Sequence, residues 1–393
     1  MRANPGGYIE PKEVLGRDDF IAMLWRVLEK KSIYLGAERR YGKTRIIQKM
    51  CLEPHPDWHA EFMELEGVHT ADEFAEAVSH RAFQYLGVQK RTTKKIAGFL
   101  HTLAGIELGG VLKFPEVNKR PANYWKILLQ SAVEDVIEQQ SGKRLVFFWD
   151  EMPYMIDAIA KRQGETTAME ILDVCRSIRQ SPQTGPDFRM VLTGSIGLHH
   201  VLSHLKEQGY SNAPINDMEP IEVPPLAPAD AAELARRLMA GEKLKTADAA
   251  AAAELVAAET GNIPYYIHYV VAEMSNRALP ADEATIKATV QDLITGVQDK
   301  WSLRHFRDRI STYYPNDEGA VLAILDCVAA RDKPISIQEL LAALKHGGPV
   351  DAERVRELIR LLQHDHYVHR DNTGAFTFFA NTLRRWWRFD RGL

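Results

Sequence analysis

The chain has 393 residues, of which 45% are hydrophobic and 26% are charged, a mixture typical of folded globular proteins. This composition excludes a disordered tail, a collagen-like chain and a disulfide scaffold, and the length predicts two or three domains. The formal net charge of −4 excludes a global basic field, so a nucleic-acid contact would need a local patch. The three cysteines are far apart, fit no metal-binding spacing and favour a reducing, cytoplasmic compartment.

The first part of the chain alternates strands and helices. A helix predicted at 19–30 is followed by a short apolar strand at 32–35, a glycine-containing turn and a second helix at 44–50. Further strands are predicted at 58–65, 144–149, 188–193 and 218–223, and helices at 71–86 and 123–140. The run RLVFFW at 144–149 is almost entirely apolar, which is typical of a central parallel strand buried on both faces. The order strand, loop, helix predicts a parallel α/β unit.

The composition changes at residues 220–228, where four of nine residues are proline. Beyond this point the chain is alanine-rich, and we predict helices from 229 to 297. Three shorter helices at 318–330, 337–344 and 351–364, followed by a hairpin at 367–379, give the outline of a winged helix. The chain therefore divides into segments 1–225, 226–315 and 316–393.

The turn after the first strand is close to the phosphate-loop pattern G-x-x-x-x-G-K-[ST]. It reads GAERRYGKT, with Ala37 at the first glycine position, and Gly42, Lys43 and Thr44 complete the pattern. In such loops, backbone N–H groups and the helix N-terminus hold phosphate oxygens. Lys43, in a loop that we expect to face solvent, would neutralise the β- and γ-phosphates, and Thr44 would offer its hydroxyl to Mg²⁺. The predicted ligands are therefore a nucleoside triphosphate and Mg²⁺.

The loop as a whole supplies the predicted cofactor-binding residues. These are Ala37, Glu38, Arg39, Arg40, Tyr41, Gly42, Lys43, Thr44 and Arg45. The alternative is a basic turn without a ligand, which does not explain why the motif coincides with the end of a strand and the start of a helix. Arg39 and Arg40 would contact phosphate or a partner, or else face solvent.

Two carboxylates, Asp150 and Glu151, follow the most apolar run of the chain. Open α/β sheets bind ligands at the carboxyl ends of their strands. Asp150 is suited to hold Mg²⁺ through water, so Thr44 and Asp150 form the predicted metal site. Glu151 is suited to activate the attacking water as a general base. In the alternative interpretation, Asp150 only caps the next helix.

Together these motifs resemble the P-loop ATPases of the AAA+/STAND type, and most closely the archaeal-type ATPase family of bacteria and archaea. Besides the phosphate loop and FFWDE, the resemblance is carried by VLGRDDF at 14–20, FRMVLTGSIG at 188–197, ETGNIPYYIHYVV at 259–271 and LRRWWRF at 383–389. It implies an α/β fold with a P-loop NTPase parallel-sheet core of the additional-strand type at 1–225, a helical lid at 226–315 and a C-terminal winged helix at 316–393.

Several residue roles are implied by the resemblance alone. Thr193 or Ser195 would sense the γ-phosphate, the turn at Pro264 would pack near the adenine, and Arg17 would lie near the base or the domain junction. Asn262 stands where the related G-x-P motif has its glycine. The plain alternatives are a strand end that caps a helix at Thr193 and Ser195, and an ordinary helix start at Pro264.

The charges of the later segments bear on partners. Segment 316–393 carries 11 Lys/Arg and 11 Asp/Glu residues, a balance that disfavours a phosphate-seeking surface. Near its end, Trp386 and Trp387 are surrounded in sequence by arginines. Such a segment either binds nucleic acid or forms a helix that docks on its own domain with the tryptophans buried. We favour the docking helix. Arg176 or Arg179 could act as an arginine finger on a neighbouring subunit, although both also fit a solvated helix face.

Residues 96–114 carry only three ionisable side chains. We expect an insertion with some exposed apolar surface and no integral membrane span, because a central carboxylate is costly in a bilayer. The flanking Lys90, Arg91, Lys94 and Lys95 leave a peripheral membrane or partner contact open.

Three functional hypotheses follow. In the first, a slow Mg²⁺-dependent ATPase acts as a switch whose lid and winged helix control a protein partner or self-association. In the second, similar to origin-recognition proteins, the winged helix binds duplex DNA. In the third, a scaffold holds nucleotide without hydrolysing it. The neutral winged helix favours the first over the second, and the set of Lys43, Asp150 and Glu151 disfavours the third.

Overall fold

The computed structural model describes residues 1–36, 38–88, 94–102, 107–108, 111–112, 114–139, 142–194, 197–345 and 351–393. The predictions for Ala37, Ser195, Lys90 and Arg91 lie outside these ranges. The same holds for residues 103–106, 109–110 and 113 of the predicted insertion.

The described residues form α-helices and short strands. The helices are α1 (Asp18–Leu28), α2 (Lys43–Leu52), α3 (Ala71–Val88), α4 (Lys94–Thr102), α5 (Tyr124–Gln139), α6 (Met152–Gln163), α7 (Glu165–Gln180), α8 (Leu198–Glu207), α9 (Pro228–Gly241), α10 (Ala249–Glu259), α11 (Pro264–Asn276), α12 (Glu283–Thr295), α13 (Arg304–Tyr313), α14 (Glu318–Ala329), α15 (Ile337–Lys345), α16 (Ala352–His364) and α17 (Asn381–Arg391). The strands are β1 (Ile33–Gly36), β2 (Trp58–Glu64), β3 (Glu107–Leu108), β4 (Val111–Leu112), β5 (Arg144–Asp150), β6 (Phe188–Thr193), β7 (Glu219–Glu222), β8 (Val368–Arg370) and β9 (Phe376–Phe378). The strands predicted at 58–65, 144–149 and 188–193 are confirmed, whereas α13 has no counterpart in the sequence prediction.

The chain forms two compact units. Unit 1 comprises Met1–Arg17, Ala37–Gly42 and Pro224–Leu393, and unit 2 comprises Asp18–Gly36 and Lys43–Val223. The phosphate-loop residues 38–42 therefore belong to unit 1, whereas Lys43 and Thr44 belong to unit 2. Unit 1 contains both the predicted lid and the predicted winged helix, and the three domain boundaries stay a prediction.

Unit 2 is built on a five-stranded sheet with the order β2-β5-β6-β1-β7, in which each neighbouring pair is parallel. Strand β6 lies between β1, which leads into the phosphate loop, and β5, which ends in Asp150. This inserted strand is the feature expected of an additional-strand sheet. The prediction of a parallel α/β sheet is thus confirmed.

Strand β5 is an interior strand of the sheet and lies in the unit 2 core. Its side chains from Leu145 to Asp150 are all buried, as the unbroken apolar run predicts. Phe147 and Trp149 stack on each other, and burial of each stabilises the fold by about 1.5–3 kcal/mol. Pro220 lies in the edge strand β7, where the missing N–H costs little.

Helices predominate in unit 1. Three aspartates, Asp248, Asp282 and Asp351, cap α10, α12 and α16 by accepting N–H groups of the first turn. Helices α14, α15 and α16 precede the antiparallel hairpin β8–β9, and Ile335 bridges to Phe376 in β9. Three helices followed by a hairpin is the order of elements in a winged helix, to which α17 is added.

The predicted insertion begins with α4. The buried carboxylate of Asp135 in α5 accepts the backbone N–H groups of Lys95 and Ile96, which ties the start of α4 to α5. Lys95 also pairs with Glu134 and Glu138, so its charge is neutralised within the unit. None of the helices in the described ranges is both long and apolar enough to cross a membrane.

Candidate functional site

The carboxyl edge of the unit 2 sheet brings together the ends of three adjacent strands. Strands β1, β6 and β5 end at Gly36, Thr193 and Asp150. The register pairs Leu35 with Thr193 and Trp149 with Leu192, so Thr193 and Asp150 end neighbouring strands at the same level. The structure therefore places Asp150 and Thr193 side by side at this edge, and their roles in a functional site stay a prediction.

Asp150 is the centre of this edge. Only 4% of its surface is exposed, and its carboxylate accepts two hydroxyl donors from different elements. Thr44 Oγ1 donates to Asp150 Oδ2 over 2.7 Å, and Thr193 Oγ1 donates to Asp150 Oδ1. The N–H of Glu151 is a third, weaker donor at 3.2 Å. The main partners of the Asp150 carboxylate are thus the hydroxyls of Thr44 and Thr193. The alternative in which Asp150 only caps the next helix does not account for these contacts.

The donor set around Asp150 suits Mg²⁺. A carboxylate and a threonine hydroxyl are hard oxygen ligands, which Mg²⁺ prefers over nitrogen or sulfur. Thr44 and Asp150 lie within hydrogen-bond distance, so both could contact one ion directly or through water. The residues present therefore fit the predicted metal, and its binding stays a prediction.

Lys43 differs from the sequence expectation. It is the first residue of α2 and is only 8% exposed, whereas we expected it in a solvent-facing loop. The reason is that Lys43 lies on the same face of α2 as Ile46, Ile47 and Met50, and this face is buried. A lysine held at the start of a helix, next in sequence to a phosphate-loop glycine, remains suited to anionic oxygens.

Glu151 has a strained backbone. Its φ of 58° and ψ of 31° lie in the left-handed region, which a non-glycine residue rarely adopts. Such conformations cost about 1–3 kcal/mol and persist where the surrounding structure fixes them, often at functional sites. Here the residue joins the buried strand β5 to the buried start of α6, and its side chain is half-buried. This geometry is compatible with the predicted general base.

In unit 1, the loop 38–42 has a fixed backbone. Gly42 has a φ of 91°, and a Cβ there would meet nothing within 4 Å, so the dihedral angle and not space requires glycine. The buried Arg17 donates to the carbonyl oxygens of Tyr41 at 3.1 Å and Pro224 at 2.9 Å. Burial lowers the pKa of Arg17 to about 10, partly opposed by the charge of Asp230. Arg17 thus supports the loop backbone.

Arg40 is held inside unit 1. Its guanidinium lies 4.1 Å from the ring centre of Tyr265 and donates to Ser302 Oγ over 3.0 Å. Its φ of 77° is also left-handed. Arg40 is therefore half-buried against the segment predicted as the lid, whereas Arg39 is exposed. The cation–π contact anchors the middle of the loop.

Glu38 of the loop forms a buried ion pair with Arg309 of α13, which the sequence did not indicate. Glu38 Oε2 accepts Arg309 Nη2 over 2.7 Å, and both side chains are only 6% exposed. Burial alone would raise the pKa of Glu38, but the charge and hydrogen bonds of Arg309 outweigh it and hold the pKa below its ordinary value. Burial alone would lower the pKa of Arg309, but the charge of Glu38 raises it. Both groups therefore stay ionised.

Pro264 is the first residue of α11, a position that suits proline. The preceding turn contains Gly261 and Asn262, both with positive φ, and Asn262 tolerates this conformation better than most residues. The geometry is that of an ordinary helix start, and the adenine contact at Pro264 stays a prediction.

Two further predictions concern arginines. Arg179 is buried in unit 2 and pairs with both carboxylate oxygens of Asp217, at 2.9 and 3.0 Å, so it does not fit the expectation of an arginine finger. Arg176 donates to the carbonyl oxygen of Ala213.

At the C-terminus, Trp386 and Trp387 are buried, and Trp387 Nε1 donates to Asp326 over 2.8 Å. The docking interpretation of the tryptophans is confirmed.

The comparisons with known proteins bear on the fold. No protein-family model and no curated protein matches the sequence. Among solved structures, a Walker-type ATPase of Pyrococcus abyssi matches at 15% identity with a TM-score of 0.66, covering 99% of this chain and 100% of that one. The ORC2 protein of Aeropyrum pernix, solved as ADPNP–ADP complexes, matches at 10% identity with a TM-score of 0.53, covering 99% and 98%. The fold is therefore of the α/β P-loop NTPase type, as predicted.

Proposed function

We propose that this protein binds ATP with Mg²⁺ and hydrolyses it slowly. The observation that supports this most directly is the buried Asp150, whose carboxylate accepts hydrogen bonds from the hydroxyls of Thr44 and Thr193 at the carboxyl edge of the sheet. In the sequence, Thr44 follows Lys43 at the end of the phosphate-loop pattern. A carboxylate, a hydroxyl and a lysine in this relation are the parts that P-loop enzymes use for a nucleoside triphosphate.

Each residue has a separate role in the proposed reaction. Lys43 neutralises charge on the β- and γ-phosphates. The backbone of the loop 38–42, apart from the N–H of Arg39 that Glu38 accepts, donates N–H groups to phosphate oxygens. Thr44 and Asp150 hold Mg²⁺, which when bound neutralises charge on the same phosphates. Glu151 orients water for in-line attack on the γ-phosphorus and accepts its proton, while the bond between the γ-phosphorus and the bridging oxygen breaks and ADP leaves. Thr193, or Ser195 two residues later in the sequence, senses whether the γ-phosphate is present.

We also propose that nucleotide state is passed to a protein partner or to a second copy of the chain in the cytoplasm. Duplex DNA is less favoured as the partner, because two of the three arginines of α16 are paired with neighbouring carboxylates. Arg354 pairs with Asp317 and Glu357, and Arg356 pairs with Glu353. A paired arginine neutralises fewer phosphates, so this helix offers little electrostatic attraction to a duplex.

The test is calorimetric titration with MgATP together with a phosphate-release assay. Lys43→Ala should lose measurable MgATP binding while its thermal unfolding stays cooperative. Glu151→Gln should bind MgATP but hydrolyse it about 10²–10⁴-fold more slowly, the usual contribution of a general base.

Lys206→Ala and Glu207→Gln, which change exposed residues at the end of α8, are the matched controls and should behave like wild type. Wild-type affinity in Lys43→Ala would refute the assignment of the phosphate site. Unchanged turnover in Glu151→Gln would show that water is activated by another group.

A further inference from the structure

The phosphate loop carries a negative charge of its own. Glu38 lies four residues before Gly42, inside the segment that is proposed to hold phosphate, and its carboxylate is buried. Its Oε1 accepts the backbone N–H of Arg39 over 2.7 Å, so the side chain also fixes the loop backbone. A buried carboxylate without a compensating cation would repel a triphosphate and would be costly to keep ionised. Whatever neutralises Glu38 therefore bears directly on phosphate binding.

Arg309 supplies this neutralisation. Its guanidinium contacts both carboxylate oxygens of Glu38, with Nη1 at 3.2 Å from Oε1 and Nη2 at 2.7 Å from Oε2. A two-point contact of this kind fixes orientation as well as charge. Glu38 and Arg309 are 271 residues apart in the sequence, so the contact ties the loop to helix α13.

Arg309 is itself held by the C-terminal segment of unit 1. Its Nε donates to the hydroxyl of Tyr367 over 2.8 Å, and its Nη2 donates to the carbonyl oxygen of Asp365 over 2.6 Å. The guanidinium also lies 4.5 Å from the ring centre of Phe306 and 4.6 Å from that of Tyr367. The Tyr367 hydroxyl in turn donates to the carbonyl oxygen of Phe306. These contacts leave the guanidinium little freedom to leave Glu38.

We propose that Arg309 is a positioning residue of the phosphate loop, which neutralises Glu38 and makes triphosphate affinity depend on the segment that contains Tyr367. This inference rests on the proposed binding of ATP. The proposal predicts that replacing Arg309 reduces the affinity for a nucleotide by a factor that grows with the negative charge of that nucleotide. A purely structural role would weaken all adenine nucleotides alike.

The test measures the affinities of wild type, Arg309→Met, Arg309→Lys, Glu38→Gln and the double variant Glu38→Gln/Arg309→Met for ATP, ADP and AMP by calorimetry. Arg309→Met should weaken ATP binding about 10- to 100-fold, a loss of the size expected for one charge-assisted hydrogen bond. It should weaken ADP binding less and AMP binding least. The double variant should regain most of the ATP affinity, because it removes the unpaired anion together with the cation.

Two milder variants keep the test decisive if Arg309→Met does not fold. Tyr367→Phe removes only the hydroxyl that supports Arg309 and should give a smaller loss with the same order of ligands. Arg307 lies on the same helix as Arg309 and pairs with Glu318 at the start of α14, so Arg307→Met is the control and should change no affinity.

The outcomes separate the two proposals. If wild type does not bind ATP, the proposed function is wrong and this inference falls with it. If wild type binds ATP and Lys43→Ala does not, but Arg309→Met binds like wild type or loses ATP, ADP and AMP affinity equally, only the role of Arg309 is refuted.

Discussion

Replacing Thr193 by valine removes one hydroxyl from the carboxyl edge of the sheet and leaves the volume of the side chain almost unchanged. Thr193 is fully buried, and its hydroxyl donates to Asp150, which is itself buried. After the substitution, Asp150 keeps the Thr44 hydroxyl at 2.7 Å and the N–H of Glu151 at 3.2 Å, but Oδ1 loses its stronger donor. Loss of a hydrogen bond to a charged group costs about 1.5–3 kcal/mol, so we expect Thr193→Val to lower the free energy of unfolding by that amount.

Thr193→Ser is the matched control. It keeps the hydroxyl and removes one buried methyl group, which costs about 1 kcal/mol. Urea-induced unfolding followed by tryptophan fluorescence measures both variants, since Trp149 precedes Asp150 and is fully buried in the same unit. A valine variant that is as stable as wild type, or more stable than the serine variant, would refute the conclusion that the Thr193 hydroxyl bonds to an ionised carboxylate.

Two other predictions concern pH and nucleic acid. Burial lowers the pKa of His268 to about 4, so between pH 6.5 and 4 the unfolded chain binds a proton that the folded chain does not. The free energy of unfolding should therefore fall by up to about 3 kcal/mol as pH drops through this window, and His268→Gln should lack this part of the fall in urea titrations at pH 7.5 and 4.5. An equal fall in both proteins would contradict the assignment. Labelled duplex DNA should bind with a dissociation constant of about 10⁻⁵ M or weaker near physiological salt, within the non-specific range. Tight, ATP-dependent binding that is lost on replacing Arg356 and Arg360 would instead support a DNA-handling ATPase.

The parts of the fold that could be predicted have a local signal. The run at 144–149 is apolar enough to identify a strand buried on both faces, and its position before Asp150 identified the carboxylate at the edge of the sheet. The motif at 42–44 identified the start of α2. The strand order of the sheet was implied by resemblance, because periodicity within a strand does not indicate its neighbours.

The parts that were missed depend on contacts between distant residues. Helix α13 is rich in charged residues and falls outside the apolar patterns that revealed the other helices of unit 1, so its Arg309 was not considered. Glu38 has no local feature that indicates a cation 271 residues away. Arg179 was a candidate finger because it lies on a helix between the acidic strand and the next strand. Its ion-pair partner, Asp217, is 38 residues away in the sequence and gave no local signal. Charged side chains give no periodic signal when their partners are distant, so sequence patterns cannot distinguish buried pairs from solvated ones.

The division of the phosphate loop between the two units has a practical consequence for dissecting this protein. A truncated fragment that ends at residue 225 would retain every residue of the phosphate-loop motif and the whole parallel sheet. It would lose Tyr265, Ser302 and Arg309, which hold Arg40 and Glu38. If such a fragment were inactive, this would not argue against a role of the motif in nucleotide binding. The motif lies near the start of the chain, whereas the residues that hold Arg40 and Glu38 in place lie in its second half.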